Sequence, residues 1–339
     1  MIDSPSTPLP DATKEEEFFP LDANELLGKE ASRFPIYIYN EERKRFVLFK
    51  LADESIPHER LSALTKDGKR PVFVPRSHGT ELSMMLSDNL AGIVNDASLP
   101  SEIKTSRIHS LSVAVMQNLF EANADSEVFI GASKNVSNSV ADLMLNEPDA
   151  VSQLTTLRNY DYYTFSHSLN VCVLALGLYQ FMNPNESANS IRDLSRGMLL
   201  HDIGKCDVPT DLTNKKGSLS DDEWDVMKSH TVKGYERLAI DIDLSGDSRT
   251  VSLLHHEACD GSGYPHGKPM QNIPFTSRLC KVVDVYDALT SRRSYKPSLK
   301  PFEALQMMAT EMKQQVDQEI LKQFILFLDQ VSKSNVRTG

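Results

Sequence analysis

The sequence predicts a mainly α-helical protein in which a small α/β module precedes a helical bundle. Three short apolar runs of strand type between residues 34 and 75 predict the module. Apolar residues that recur at helical spacing from residue 101 onward predict the bundle. The chain has 339 residues, of which 40% are hydrophobic and 24% charged, so its composition is that of a globular protein with a sizeable core.

Changes in composition divide the chain into five segments. Residues 1–30 are rich in Pro, Ser, Asp and Glu and are predicted to be a flexible leader. Residues 31–98 form the small α/β module, for which we expect a regulatory or dimerising role. Residues 99–148 form linking helices, and their apolar stripes indicate packing within the chain, with a homodimer as the alternative. The helical domain spans residues 149–331, and a short tail, residues 332–339, follows it.

Three strands and one helix are predicted in the α/β module. Ile36–Tyr39 and Phe46–Phe49 are rich in aromatic and β-branched residues and flank a charged turn. Pro71–Pro75 is a third short strand, because prolines bound its apolar centre. Helical spacing of apolar residues predicts a helix over Ser55–Leu64, and nothing in the module indicates catalytic chemistry.

The helical domain is predicted from apolar stripes together with signals for helix ends. Gly204 suits the C-terminus of a helix. Ser220 and Glu223 form a capping box, which begins the helix that carries His230. The other predicted helices are Tyr163–Phe181, Ile191–Leu200, Asp247–His256, one that follows Pro274, and one or two within residues 302–331.

Charge and cysteine usage exclude several classes of protein. The net charge of −11 argues against a nucleic-acid-binding protein, since a phosphate polymer would be repelled. No apolar run reaches the roughly 18 residues of a membrane span, and the N-terminus lacks the features of a secretory signal. The four cysteines are scattered without a C-x-x-C pair, which indicates a reduced, cytoplasmic protein.

Five of the nine histidines and two aspartates form an extended metal-ligand pattern. Its members, in chain order, are His167, the pair His201-Asp202, His230, the pair His255-His256, and Asp284. An adjacent pair at a helix end can direct two side chains at one point. Seven ligands exceed the three or four that one zinc ion takes from a protein, so they suit two six-coordinate ions that share a carboxylate and a water.

The types of donor atom limit which metal ions the site could bind and which reaction these ions could support. Nitrogen and oxygen donors without thiolate favour iron, manganese, nickel or cobalt over a structural zinc. Two ions a short distance apart generate hydroxide at neutral pH and hold phosphoryl oxygens in line, as phosphate-ester hydrolysis requires. The pattern therefore predicts a metal-dependent phosphoesterase.

Two signatures resemble those of a known family. Residues 201–205 resemble the H-D-I-G-K signature of HD-domain phosphohydrolases. Residues 255–265 are similar to the H-H-E-x-x-D-G-x-G-Y-P signature of the HD-GYP subgroup. The segments around His167, His230 and Asp284 agree in order and spacing, so the resemblance covers roughly residues 150–330.

The resemblance to HD-GYP proteins implies an HD-type helical bundle that hydrolyses cyclic di-GMP, a bacterial second messenger. The product would be pGpG, with further hydrolysis to GMP left open. A hydroxide that bridges two divalent ions would attack phosphorus. Iron or manganese is the expected metal, with nickel, cobalt or zinc as alternatives. A third ion is not expected, because Tyr163 stands where some relatives have a glutamate ligand.

The resemblance also implies a role for each matching residue. Asp202 would bridge the two ions and, with Lys205, serve catalysis. The ligands that complete the first ion's shell would be His167, His201 and Asp284. Those of the second ion would be His230, His255 and His256. The substrate would contact Lys205, Tyr264, Arg293 and Lys296.

Other residues of the signatures have less defined roles. Glu257 would either orient metal ligands through hydrogen bonds or form an ion pair. Asp260 and Asp287 would be structural or support the ligands. The loop Gly261–Pro265 would contact substrate, a signalling-protein partner, or both.

Two alternatives to a cyclic di-GMP phosphodiesterase remain at this point. A cyclic-dinucleotide-binding adaptor would bind the nucleotide with little or no turnover. A phosphodiesterase with another substrate, such as cyclic GMP-AMP, would use the same metal chemistry. The complete ligand set favours an enzyme over an adaptor.

Overall fold

The computed structural model describes residues 12–23, 33–54, 71–121, 124–157, 164–213, 215, 217–291 and 298–338. The chain divides into two compact units. The first comprises Met1–Leu86 and Asn118–Ala124, and the second comprises Ser87–Gln117 and Asp125–Gly339. The sequence placed the end of the α/β module at residue 98, whereas the division falls at residue 86, inside a helix.

The first unit contains a four-stranded antiparallel sheet. Its strands are β1 (Phe18–Asp22), β2 (Ile36–Asn40), β3 (Arg45–Lys50) and β4 (Pro71–Pro75), in the spatial order β1-β4-β2-β3. The three strands that the sequence predicts are confirmed. The helix predicted over residues 55–64 lies outside the described residues.

Aromatic side chains form the core of this sheet. The rings of Phe18 and Phe46 stack with centroids 4.2 Å apart, and those of Phe46 and Phe73 meet edge to face at 4.8 Å. Phe18 belongs to β1, which lies inside the predicted flexible leader, residues 1–30. That prediction is wrong for residues 18–22, because the strand pairs with β4 and its apolar side chains are buried.

Helices make up most of the second unit. The helix α1 (Gly79–Asn95) crosses the division between the units, and α2 (Ser101–Glu121) returns to the first unit at its end. The helices that follow are α3 (Ser126–Asn146), α4 (Ala150–Leu157), α5 (Thr164–Met182), α6 (Ala188–Leu199), α7 (Thr210–Thr213), α8 (Asp221–Lys228), α9 (His230–Arg237), α10 (Gly246–Leu254), α11 (Phe275–Thr290), α12 (Pro301–Thr310) and α13 (Gln318–Thr338). Among the described residues, no helix combines the length and the apolar composition that crossing a bilayer requires.

The helix α5 lies at the centre of the bundle and is buried on all sides from Ser166 to Leu178. Such a helix has no solvent face, which explains its nearly continuous apolar sequence. The helices α6 and α11 pack against α5, and α10 packs against both of them. This packing directs the ends of several helices at one region of the bundle.

The predicted capping box holds in the structure, whereas Gly204 does not end α6, which ends at Leu199, and lies in the 3₁₀ turn Ile203–Asp207 that follows. The capping box is present, with the Ser220 hydroxyl accepting a hydrogen bond from Glu223 N and the Glu223 carboxylate accepting one from Ser220 N. The helix α13 continues to Thr338 and so includes residues 332–338 of the predicted tail, residues 332–339. Burial of Val331 and an ion pair between Asp329 and Lys333 stabilise these last turns.

A close approach of two backbones fixes the segment that carries Asp202. The 3₁₀ turn Ile203–Asp207 packs on α9, and a Cβ atom added at Gly204 would lie 1.9 Å from the carbonyl oxygen of His230. No side chain fits there unless backbone moves. Gly204 is therefore required by packing.

We predict that Gly204→Ala destabilises the protein by about 1–3 kcal/mol and displaces His230, because backbone atoms have to shift to admit the methyl group. The control is Gly131→Ala, an exposed glycine of α3 whose added Cβ meets nothing within 4 Å. Urea unfolding of both variants tests the prediction. Equal stability of Gly204→Ala and wild type would contradict it.

Candidate metal centre

The seven side chains of the predicted ligand pattern come together in the second unit. His167 lies on α5, His201 and Asp202 follow α6, and His230 begins α9. His255 and His256 follow α10, and Asp284 lies on α11. All are buried except His256, whose side chain is 23% exposed.

Asp202 belongs to two groups of side chains that could each hold an ion. The first group is His167, His201 and Asp202, and the second is Asp202, His230, His255 and His256. Within each group the nearest ligand atoms lie within 4.8 Å of one another. Asp284 touches a member of each group, with Oδ1 3.1 Å from His167 Nε2 and Oδ2 3.8 Å from His256 Nδ1.

The two carboxylate oxygens of Asp202 face different histidines. Oδ1 lies 3.3 Å from His230 Nε2 and 3.6 Å from His255 Nε2. Oδ2 lies 3.5 Å from His201 Nε2 and 3.8 Å from His167 Nε2. A carboxylate in this position can donate one oxygen to each of two ions.

Main-chain carbonyl groups set the orientation of three imidazoles. His201 Nδ1 lies 2.8 Å from Met198 O, and His230 Nδ1 lies 2.7 Å from Met227 O. His255 Nδ1 lies 3.0 Å from a carbonyl oxygen of α10. Because a carbonyl oxygen only accepts, each Nδ1 carries the proton, and each Nε2 keeps a lone pair directed at Asp202.

The side chain of Asp287 sets the orientation of the His167 imidazole. Its Nδ1 lies 2.8 Å from Oδ2 of Asp287, a fully buried carboxylate that also accepts a hydrogen bond from the Ser291 hydroxyl. A charged acceptor fixes the ring and makes its Nε2 a better donor to a metal. Of the two roles predicted for Asp287, structural or supporting a ligand, this contact with His167 favours the second.

Burial favours the neutral form of three histidines in the cluster. It lowers the pKa of His201 to about 4 and that of His230 to about 3. It also holds the pKa of His256 well below its usual value. Burial alone would raise the pKa of Asp202, but Lys205 and the neighbouring imidazoles outweigh it and lower that pKa well below the usual range. Neutral imidazole and ionised carboxylate are the forms that bind metal.

Two buried atoms of the cluster are available to bind divalent ions. His201 Nε2 and Asp202 Oδ1 have no hydrogen-bond partner within the described residues. A buried polar atom without a partner is costly, and a metal bond offsets that cost. Neither group contains a cysteine among the described residues, and burial raises the pKa of Cys206 to about 12, which favours the thiol form.

The loop after the second histidine pair is held close to the cluster. The buried Glu257 carboxylate accepts hydrogen bonds from the backbone N–H groups of His266 at 2.7 Å and Lys268 at 2.8 Å. An added Cβ at Gly263 would lie 2.2 Å from Ala258 N, so only glycine permits this approach. Glu257 therefore anchors the loop, which is neither of the roles that the sequence analysis considered.

Two of the four predicted substrate-contacting residues lie at the cluster, and the other two lie outside the described residues. The Lys205 ammonium lies 2.5 Å from Asp202 Oδ2, and the Tyr264 ring packs on His256 with centroids 4.7 Å apart. Arg293 and Lys296 lie outside the described residues, as does Tyr163.

Sequence reasoning missed Lys281, whose ammonium donates a hydrogen bond to the His256 carbonyl oxygen over 3.2 Å. Burial lowers the pKa of Lys281.

The fold and the cluster define a helical bundle of the HD type. The HD domain family model matches residues 139–320, more than half of the chain. The chain therefore belongs to the HD domain family. The family resemblance predicted from the signatures is confirmed.

Several relatives carry the names of cyclic-dinucleotide phosphodiesterases. The chain is 32% identical over 212 residues to "Cyclic di-GMP phosphodiesterase PA4108" of Pseudomonas aeruginosa. This alignment covers 62% of this chain and 50% of the relative. It is 32% identical over 176 residues to "3'3'-cGAMP-specific phosphodiesterase 1" of Vibrio cholerae, which covers 51% of this chain and 38% of the relative. The chain thus spans half or less of the length of these relatives.

A solved structure shares the fold over most of both chains. It is Bd1817, an HDG"Y"P protein from Bdellovibrio bacteriovorus, with a TM-score of 0.63 and 17% sequence identity. The match covers 92% of this chain and 99% of Bd1817. The predicted mainly α-helical fold with a small N-terminal α/β module is confirmed.

We predict that Asp287→Asn weakens metal affinity roughly 10- to 100-fold, because the amide lacks the charge that orients and polarises His167. Competition with a chromophoric chelator measures the affinity. The matched control is Asp260→Asn, whose carboxylate accepts hydrogen bonds from Ser262 and none from His167 in the described structure. If both variants bound metal as tightly as wild type, the role of Asp287 would be refuted.

The histidine pKa values predict a loss of stability in acid. The folded values of about 4 for His201 and about 3 for His230 lie below the ordinary value. The unfolded chain therefore binds more protons between pH 6.5 and 4, and the free energy of unfolding falls as pH falls through this window.

With metal removed by a chelator, each of these histidines should lower the free energy of unfolding by roughly 2 kcal/mol between pH 7.5 and 5. Urea unfolding at the two pH values measures the change. The variant His201→Gln should lose less stability over the same interval than wild type. An unfolding midpoint that does not move with pH would show that the histidines are not buried in neutral form.

Proposed function

We propose that the chain is a metal-dependent phosphodiesterase that hydrolyses cyclic di-GMP to pGpG in bacterial second-messenger signalling. The observation that carries this proposal is the position of Asp202, whose two carboxylate oxygens face separate groups of imidazoles. Two divalent ions, iron or manganese, would occupy these groups, and no third ion is expected. When bound, they supply hydroxide at neutral pH and neutralise charge on the phosphoryl oxygens.

The chain's own residues position the reaction. Asp202 would hold one ligand atom toward each group, and the backbone-anchored imidazoles would complete two sets of donors. His167 and Asp284 would both bind the ion of the first set. Nε2 of His167 lies 3.1 Å from Oδ1 of Asp284. Burial excludes bulk water from this part of the site and so strengthens its electrostatic interactions.

Lys205 would act on the phosphate. Its ammonium lies beside Asp202 Oδ2, and its side chain is 18% exposed, so the amine borders both the buried carboxylate and solvent. A cation there favours approach of a dianionic substrate to a protein of net charge −11. Arg293 and Lys296 are proposed as further contacts to the phosphates.

Substrate choice rests on the relatives. The relative that aligns over 62% of this chain is named for cyclic di-GMP, which favours that substrate. Cyclic GMP-AMP is the second candidate, because other relatives are named for it. Hydrolysis beyond pGpG, cytoplasmic location, a homodimer and a protein partner at the loop Gly261–Pro265 stay predictions.

We predict that Asp202→Ala loses bound metal and falls to background hydrolysis, because each ion loses a shared donor. The test uses protein purified without oxygen, its metal content, and chromatography of the products from cyclic di-GMP and cyclic GMP-AMP. The control Asp247→Ala removes an exposed carboxylate of α10 and should keep both metal and turnover. Full activity of Asp202→Ala would refute the mechanism. Tight nucleotide binding without turnover by metal-loaded wild type would instead favour the adaptor.

A further inference from the structure

A row of aromatic rings leads from the metal centre to the protein surface. The ring of Tyr264 lies 4.7 Å from that of His256, with an interplanar angle of 31°. The ring of Trp224, on α8, meets Tyr264 edge to face, with centroids 6.2 Å apart and an interplanar angle of 74°. Trp224 is 46% exposed and is the chain's single tryptophan.

We propose that Trp224 stacks on a purine base of the substrate and so extends the binding site beyond the metal centre. This inference rests on the proposed function, because it takes a cyclic dinucleotide as the ligand. Beside this contact with Tyr264, 46% of the Trp224 surface stays exposed to solvent. An aromatic face that borders solvent binds a nucleobase by stacking, whichever purine the base is.

Charged groups at the two ends of the aromatic row determine which end of the ligand lies at the metal centre. Lys205 lies at the metal end, beside Asp202, where phosphate oxygens would be attracted. At the other end, the first turn of α8 carries the exposed carboxylates of Asp221 and Asp222 next to Trp224 in the chain. These carboxylates repel phosphate but not a neutral base. The phosphates therefore face the metal centre, and a base faces Trp224.

Packing does not account for the indole. The helix α8 has no buried residue, and Val226 on the same helix is 40% exposed. A large aromatic side chain at such a position leaves apolar area in water, which ligand binding would remove. Contact between the ring row and the metal ligand His256 places that area beside the reaction rather than at a separate surface.

Because Trp224 is the single tryptophan, its fluorescence reports stacking directly. The probe is the slowly hydrolysed bis-phosphorothioate analogue of cyclic di-GMP, added to metal-loaded protein. Emission should be quenched in a saturable manner, whereas inorganic phosphate, which has no base, should leave it unchanged. Unchanged emission at concentrations of the analogue that inhibit hydrolysis would overturn the proposal.

Kinetics give the second test. Trp224→Ala should raise KM for cyclic di-GMP roughly 10-fold and change kcat little, because stacking holds substrate and transition state alike. Trp224→Phe keeps a ring and should recover most of the loss. The control Phe302→Ala removes a 75% exposed ring of α12 and should leave both constants unchanged.

The outcomes separate this proposal from the proposed function. If metal-loaded wild type hydrolyses cyclic di-GMP and Trp224→Ala keeps its KM, only the role of Trp224 is overturned, and the ring becomes a candidate contact for another protein. If wild type turns over no cyclic dinucleotide, the phosphodiesterase proposal fails, while quenching by the analogue would still support stacking. Absence of both hydrolysis and quenching overturns both.

Discussion

The candidate metal centre of the second unit depends on one buried carboxylate. Asp202 is 1% exposed and is surrounded by imidazoles, of which burial lowers the pKa of His201 and His230. An ionised group in such a place is costly unless cations or hydrogen-bond donors compensate it. Lys205 supplies one positive charge, and the two groups of nitrogen donors fit divalent ions. The helices around α5 bring these donors from distant parts of the chain to one aspartate.

Local signals made the candidate site predictable. The adjacent pairs His201-Asp202 and His255-His256 stand at helix ends, where two side chains reach one point, and the family signature adds their order. Contacts between distant residues gave no such signal. His167 and Asp287 are 120 positions apart, so nothing in the sequence shows that one orients the other. Trp224 stands outside the signatures, and in the described part of the chain its ring contact with Tyr264 connects it to the site.

The fold shows the same difference between local and distant information. Capping residues and apolar spacing predicted most helices of the second unit, because these depend on neighbours in sequence. The strand β1 was missed because acidic residues precede it and its pairing partner β4 lies more than 40 residues away. Glu257 was misjudged for a related reason, since its partners are backbone N–H groups, which no side-chain pattern reveals.

The way the imidazoles are anchored has a consequence for mutational tolerance. Every residue type provides a main-chain carbonyl, so the positions that orient His201, His230 and His255 can exchange side chains without loss of the anchor, provided that the helix ends stay in place. His167 depends on a specific carboxylate instead. The anchor itself thus depends on side-chain identity for His167 and on backbone position for the other three, while packing restricts the buried Met198 and Ser252.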